Sequence, residues 1–327
     1  MTADHPDIAT VRAALALALR APSVHNTQPW QWRVGDRTVH LFADESRHLP
    51  ATDPDRRELL LSCGAALHHF RLAARSLGWR TVVHRFPNPA TPLHLAAVEF
   101  ARATPTADVE ELARAVNRRR TDRRAFTSWE VPPGYRAAMI EAGLEQGAAV
   151  TDVTTAGTGA VLTAFAGAGQ QHRNDPAYRD ELSLWTGRHA DTEGVPARNA
   201  VLSPSAMSRE FADGTLTEVV LHDSDGGRML LLHTESDGSA ARLRAGEAAS
   251  AVLLTATSLG LATCPLTEPF EVAGTRDALC SAMLGGTGFP QMLVRVGWAA
   301  TSAAPVPVTP RRALADVVRP LDDSPRR

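Results

Sequence analysis

The run Ala21-Pro22-Ser23-Val24-His25-Asn26-Thr27-Gln28-Pro29-Trp30 is the most informative stretch of the chain. It follows an Ala/Leu-rich segment of helical pattern, Val11 to Arg20, and precedes an alternating segment, Trp32 to Phe42. It therefore reads as a helix-to-strand connection. Pro22 and Pro29 fix two φ angles and remove two backbone donors. Ser23, Asn26 and Gln28 then offer short polar arms from a stiffened backbone. Such arms suit a planar, hydrogen-bonding ligand; an ordinary capped turn is the plainer reading.

The rest of the chain sets bounds on that ligand. At 327 residues it is long for one domain and natural for two halves of similar size. A formal charge of −2 argues against a nucleic-acid or polyanion binder. Cys63, Cys264 and Cys280 have no C-x-x-C spacing, so neither zinc nor a disulfide frame is indicated. No basic-then-apolar leader opens the chain and no apolar run reaches spanning length, so a cytoplasmic, membrane-free protein is expected. No lysine occurs, so any anion must be held by Arg, His or backbone N–H groups.

Periodicity predicts helices over Asp7–Arg20, Arg56–Gly78, Val109–Arg118, Pro133 to about Gln146, Gly157–Gly169, Gly246–Gly260 and, at the end, Arg311–Arg319. Strands are expected at 31–33 and 38–42, as a hairpin around Gly35-Asp36-Arg37. Further strands are expected at 79–84, 93–101, 148–153, 218–223, 229–234 and 290–298. Residues 171–213 have weak periodicity and several prolines, as lids and binding loops often do. Two of the helices are alike. Gly64-Ala65-Ala66 through Ser76-Leu77-Gly78 matches Gly246-Glu247-Ala248-Ala249 through Ser258-Leu259-Gly260, and a Pro-terminated stretch follows each. Two similar amphipathic helices would explain this; so would a fused duplication of one half-domain.

The opening run resembles the A-P-S-x-x-N-x-Q-P-W segment of the nitroreductase-like flavoproteins, where it lies against FMN. Those proteins are usually homodimers with an FMN at each interface, one subunit giving an Arg-rich motif and the other this loop. Here the first half carries the loop without the motif. The second half carries Arg118-Arg119-Arg120-Thr121-Asp122-Arg123-Arg124-Ala125-Phe126 without a second loop. One complete site can be assembled, which resembles the Acg-type single-chain members. The resemblance implies an α+β, nitroreductase-like fold in which two similar halves, residues 1–105 and 106–327, form an intramolecular pseudo-dimer. One FMN would lie between them, with 171–213 as a candidate lid.

The resemblance also names residues. Pro22, Ser23, His25, Asn26, Thr27, Gln28 and Pro29 would border the flavin. Arg120, Thr121 and Arg123 would meet its phosphate, although Phe126 comes one residue later than in the family's Arg-Arg-Ser-x-Arg-x-Phe. Asp122 is unfavourable there unless an arginine pairs with it. Arg312 and Arg319, expected on one face of the last helix, would add cations; a solvated, frayed tail is the alternative. Leu266 and Thr267 lie in a stretch that resembles the family's Pro-apolar-Glu-Gly segment beside the flavin ring, but Thr267 stands where Glu is frequent and Glu268 where Gly is frequent.

The implied activity is an FMN-dependent oxidoreductase in which hydride passes from NAD(P)H to the flavin and on to an electron-poor acceptor. No side-chain acid or base is required, and no catalytic residue is named. The alternative is a protein that stores FMN under a cover without turnover, to which Glu268 and the 171–213 excursion point. A non-flavin interaction protein is a third reading. Fusion removes the need for a dimer without forbidding one. Gly157-Thr158-Gly159 lacks the third glycine of a dinucleotide fingerprint. His68 and His69 are adjacent on a helix and point apart, which suits packing better than a metal. No G-x-S-x-G or H-E-x-x-H motif is present.

Overall fold

The computed structural model describes residues 5–187, 192–202, 206–207, 209–218 and 225–322. The strands are β1 Trp30–Val34, β2 Val39–Ala43, β3 Trp79–Arg85, β4 His94–Arg102, β5 Ala149–Asp152, β6 Arg228–Thr234, β7 Ala262–Leu266, β8 Phe289–Gly297 and β9 Val318–Pro320. The helices are α1 Ile8–Ala18, α2 Arg57–Ser76, α3 Ala107–Arg118, α4 Pro133–Glu145, α5 Thr155–Asn174, α6 Pro176–Leu184, α7 Ser239–Ser258, α8 Glu268–Glu271, α9 Ala273–Leu284 and α10 Leu314–Val317.

These elements build two sheets on either side of a helical centre. The first has the order β3-β4-β2-β1-β9 and the second β5-β6-β8-β7. Written from its other edge, the second runs β7-β8-β6-β5, which repeats the first four positions of its partner. Every neighbouring pair among those eight strands is antiparallel. In each sheet two strands lead into a long helix, α2 or α7, and two more follow it.

The two long helices form the centre. The pattern of Leu59, Leu60, Cys63, Leu67, Phe70 and Ala74 predicts one apolar stripe, yet α2 is buried on nearly all sides. The reason is α7, which lies against the face that carries Gly64. A Cβ on Gly64 would stand 2.0 Å from the Leu243 carbonyl oxygen, and one on Gly246 would stand 2.1 Å from that of Leu61. The contact is reciprocal, because each glycine meets the residue three positions before the other glycine. One turn further on, His68 Nδ1 lies 2.8 Å from Ser250 Oγ, again matched positions. Both helices end in a left-handed glycine, Gly78 (φ 89°) and Gly260 (φ 85°), a conformation that costs glycine little. Glu247, fully buried on α7, pairs with Arg71 of α2 and Arg85 of β3, so charge as well as packing crosses the centre.

The C-terminal segment departs from expectation. Residues 311–319 are not one helix. Arg311 to Ala313 are irregular, α10 spans four residues, and β9 then pairs parallel with β1. Pairing with the exposed edge of the first sheet satisfies more backbone groups than a frayed final turn would. Arg312 and Arg319 therefore do not share a helix face. Helix α5 also runs on to Asn174 and α6 follows at once, so the expected excursion is helical at its start. The expected strand 218–223 lies, from residue 219 on, outside the described residues.

Candidate functional site

Over the α2–α7 crossing lies a cleft of about 1120 Å³, open solvent included. Its floor is the α2–α7 crossing: Leu61, Ala65, Ala249 and Leu253, with Met292 of β8 and Leu266 of β7. These small and aliphatic side chains give a flat apolar surface. Polar groups gather at its rim.

The Pro22–Pro29 loop forms one rim. Pro22, Ser23, Val24, His25 and Asn26 line the cleft, whereas Thr27, Gln28 and Pro29 stand behind it as support. Three non-glycine residues here, His25, Asn26 and Gln28, have φ between 44° and 55°. Such a backbone persists only where its surroundings over-determine it, and the hydrogen bonds show how. Asn26 donates to the Gly194 and Pro310 carbonyls and accepts from Arg311. Gln28 donates to the Asn26 and Thr192 carbonyls and accepts from the Arg312 N–H. Ser23 Oγ accepts from the Gln28 N–H, and Ser62 Oγ of α2 accepts from the Val24 N–H. Pro29 gives its carbonyl to the Asp44 N–H, and Thr27 Oγ1 donates to the Val24 carbonyl. The His25 ring is buried, has no partner at either nitrogen, and is held neutral by burial and by Arg209, Arg123 and His172.

A second rim is cationic. Arg119 and Thr121, just past α3, line the cleft with Arg311 of the C-terminal segment. Arg20 and Arg120 stand close enough to repel them. Among the described residues, none of these four arginines has a carboxylate at ion-pairing distance. Arg119 is 6% exposed, and its nearest hydrogen-bond acceptor is Thr121 Oγ1 at 3.5 Å. Burial and then Arg120 and Arg20 push it down to about 10. Arg311 is pushed down to about 9 by burial and then by Arg119, Arg20 and Arg120. Among the described residues the buried Nε atoms of Arg20, Arg119 and Arg311 have no hydrogen-bond partner, while the Arg311 Nη atoms donate to Asn26 Oδ1 and to the Arg20, Ala21, Thr309 and Pro310 carbonyls. Such an assembly is costly on its own and is a ready receptor for an anion.

The expected arginines are sorted by this geometry. Arg123 lines the cleft, donates to the Asn199 carbonyl and lies 4.7 Å from the Phe211 ring. Arg120 borders the cluster but donates to the Asn117 and Arg119 carbonyls. Asp122 pairs with Arg124 at 2.8 Å, so its charge is neutralised away from the cleft. Arg312 faces Asp44 at 3.5 Å, and Arg319 donates to the Ala315 carbonyl at the surface. The cleft receives Arg311 instead. Sequence reasoning missed Arg119 and Arg311 as lining residues, although each sits beside a residue it did name.

The third rim joins Leu266, Thr267 and Glu268 to a buried polar network. Thr267 Oγ1 donates to Glu271 at 2.9 Å. Glu268 lies 3.2 Å from His172 Nδ1, and the His172 ring stacks on Tyr178 at 3.9 Å. Arg209 reaches in to pair with Glu271 and with the Tyr178 hydroxyl. Two residues on, Phe211 meets the His25 ring edge-on at 5.9 Å. Glu58, in the first turn of α2, also lines the cleft at 2% exposure. Neither metal motifs nor groups of three metal-ligating side chains occur among the described residues.

Comparison with known proteins agrees with this arrangement. The nitroreductase family model matches residues 116–298. A Mycobacterium tuberculosis protein named "Putative NAD(P)H nitroreductase Rv3131" is 49% identical over 97% of this chain and 93% of its own. Another, "Putative NAD(P)H nitroreductase acg", is 40% identical over 94% of each. Among solved structures, the FMN-dependent nitroreductase NfnB from Mycobacterium smegmatis in complex with NADPH superposes with a TM-score of 0.41 at 18% identity, covering 64% of this chain and 97% of the other. The chain belongs to the nitroreductase family. Among the described residues no helix is long and apolar enough to cross a membrane.

Proposed function

We propose that this chain is an FMN-dependent, NAD(P)H-using oxidoreductase whose two halves are a fused duplication acting as an intramolecular pseudo-dimer. The observation that supports it most is the cluster of Arg20, Arg119, Arg120 and Arg311, which has no carboxylate partner among the described residues and brings Arg119 and Arg311 to the rim of an apolar cleft. A phosphate monoester carries nearly two negative charges and accepts several charge-assisted hydrogen bonds, so it suits that cluster. A planar ring suits the floor of Leu61, Ala65, Ala249, Leu253 and Met292. FMN has both parts. Arg119 and Arg311 would hold its phosphate, and the Val24–Asn26 turn with Leu266 and Thr267 would border its ring. Leu266 and its neighbours exclude water, and the bonds of Asn26 and Gln28 keep the turn from relaxing. FMN, when bound, supplies the electron transfer itself. The relatives' names carry NAD(P)H, and we extend that donor to this chain. The matched sheets and the Gly64–Gly246 crossing support division into residues 1–105 and 106–327, with β9 returning to the first half.

A second reading has its own observation. Arg209 and Phe211 reach over the cleft, Phe211 resting against His25 and beneath Arg123. A flavin held there would be shielded, which favours storage over turnover. Anaerobic mixing of the FMN-loaded protein with NADPH decides between the two. Prompt bleaching of the flavin absorbance is expected; none over hours would favour storage. A protein that takes up no FMN overturns both.

A further inference from the structure

One group on the cleft wall is left without a task by that reading. Glu58 is 2% exposed, lines the cleft, and its Oε1 has no hydrogen-bond partner. A buried acceptor or donor left unpaired is costly and usually has a reason. Among the described residues its neighbours supply a long ion pair but no hydrogen bond to that oxygen. Arg57 Nη1 is 3.8 Å away, and the Arg57 guanidinium is committed to the Phe270, Pro290 and Gln291 carbonyls and to the Gln291 side chain. Asp53, in the turn before α2, accepts from the Leu59 N–H. Glu271 of α8 is paired with Arg209 of the covering segment.

The charges facing Glu58 act in opposite directions. Arg57 and Arg209 favour its carboxylate; Glu271 and Asp53 oppose it. Burial is the largest influence and decides the balance, holding the group well above the ordinary carboxylate range. Burial thus favours the protonated form of Glu58 over its carboxylate. When protonated, it places an O–H donor on the wall of the cleft, within reach of a ligand held there.

We propose that Glu58 is the proton donor of this cleft, serving an acceptor whose reducible group is a carbonyl oxygen, as in a quinone. This rests on the oxidoreductase reading above. The step balances simply. The quinone would take a hydride, two electrons and one hydrogen, from the reduced FMN that the cleft would hold. The Glu58 O–H bond breaks, and its proton forms a new O–H bond on the quinone oxygen. The products are hydroquinone, oxidised flavin and the Glu58 carboxylate, which regains a proton from water after the hydroquinone leaves. An ionised carboxylate there would instead repel the developing oxyanion.

The test uses the FMN-loaded protein, reduced with dithionite so that it does not depend on NADPH. Its reoxidation by menadione is followed by flavin absorbance under anaerobic stopped flow, for wild type, Glu58→Gln and Glu58→Asp. Ferricyanide, which takes electrons without protons, is the second oxidant. Glu58→Gln should slow menadione at least tenfold and leave ferricyanide unchanged. Glu58→Asp should fall between. The wild-type menadione rate should decline as rising pH ionises Glu58, while the Gln variant stays flat. Infrared difference spectra should show a protonated-carboxyl C=O band that shifts when menadione binds and is absent in Glu58→Gln. Equal menadione rates in wild type and Gln variant overturn the proposal. So does equal slowing of both oxidants, or loss of FMN from the variant, since either marks a structural role. If NADPH fails to bleach the wild type but the menadione effect holds, only the NAD(P)H assignment falls. If the protein takes up no FMN, the donor role falls with it.

Discussion

Arg119 gives the sharpest test of the cleft, because two effects of one substitution have opposite signs. Its guanidinium is buried, has no carboxylate partner, and sits among like charges. A fall from the ordinary 12.5 to about 10 corresponds to roughly 3 kcal/mol by which the fold disfavours the cation. The sign follows from linkage. Below pH 10 both folded and unfolded chains carry the proton, so the full penalty applies at neutral pH. It is relieved only as pH rises from about 10 toward 12.5. Arg119→Met keeps the apolar stem and removes the charge. The FMN-free protein should then gain about 1–3 kcal/mol, as when other buried charges give way to apolar side chains. FMN binding should move the other way. Losing a charge-assisted hydrogen bond to phosphate costs about 1.5–3 kcal/mol, which is roughly a 10- to 100-fold weaker Kd. Urea unfolding of the FMN-free protein reads the first effect, and flavin-fluorescence titration reads the second. A variant less stable without FMN, with its FMN affinity unchanged, would show that Arg119 is a structural residue and refute the reasoning.

Three further outcomes test the frame that carries the cleft. Gly64→Ala drives a methyl into the Leu243 carbonyl and should cost about 3 kcal/mol or more, whereas Gly134→Ala, which meets nothing within 4 Å, should be near neutral; similar thermal midpoints for the two would contradict the close crossing. Glu247→Gln leaves Arg71 and Arg85 facing an uncharged amide in a buried site and should cost about 3–5 kcal/mol in urea unfolding. His68 is pushed down to about 3 by burial and then by Arg71, so the folded state keeps it neutral. That contribution is present above the ordinary 6.5 and lost as pH falls toward 3, at up to about 1.4 kcal/mol per pH unit. His68→Gln should flatten the loss of stability between pH 6 and 4, and an unchanged slope would remove His68 from the account.

Much of the fold and part of the site could be read from residues close together in the chain. The prolines of 22–29 announced a stiff loop, the Leu/Ala/Cys spacing of 57–76 announced a long helix, and the Ser-Leu-Gly endings at 78 and 260 pointed to a repeated unit. Each signal lies within one or two turns of backbone, where sterics and periodicity act directly. Other features depend on partners far away in sequence. Gly64 reads locally as a weak helix residue, and only the Leu243 carbonyl explains it. Arg311 and Arg312 are indistinguishable as letters. The route of the C-terminal segment onto β1 turns one toward Arg119 and the other toward Asp44. Glu58 looks like an ordinary acidic residue in a first helical turn, yet burial, with Glu271 and Asp53 nearby, favours its protonated form. Local pattern thus announced the long helices and the stiff loop, but not the C-terminal strand. Tertiary packing decided which charges lose water, because desolvation depends on neighbours that the chain brings together only when folded.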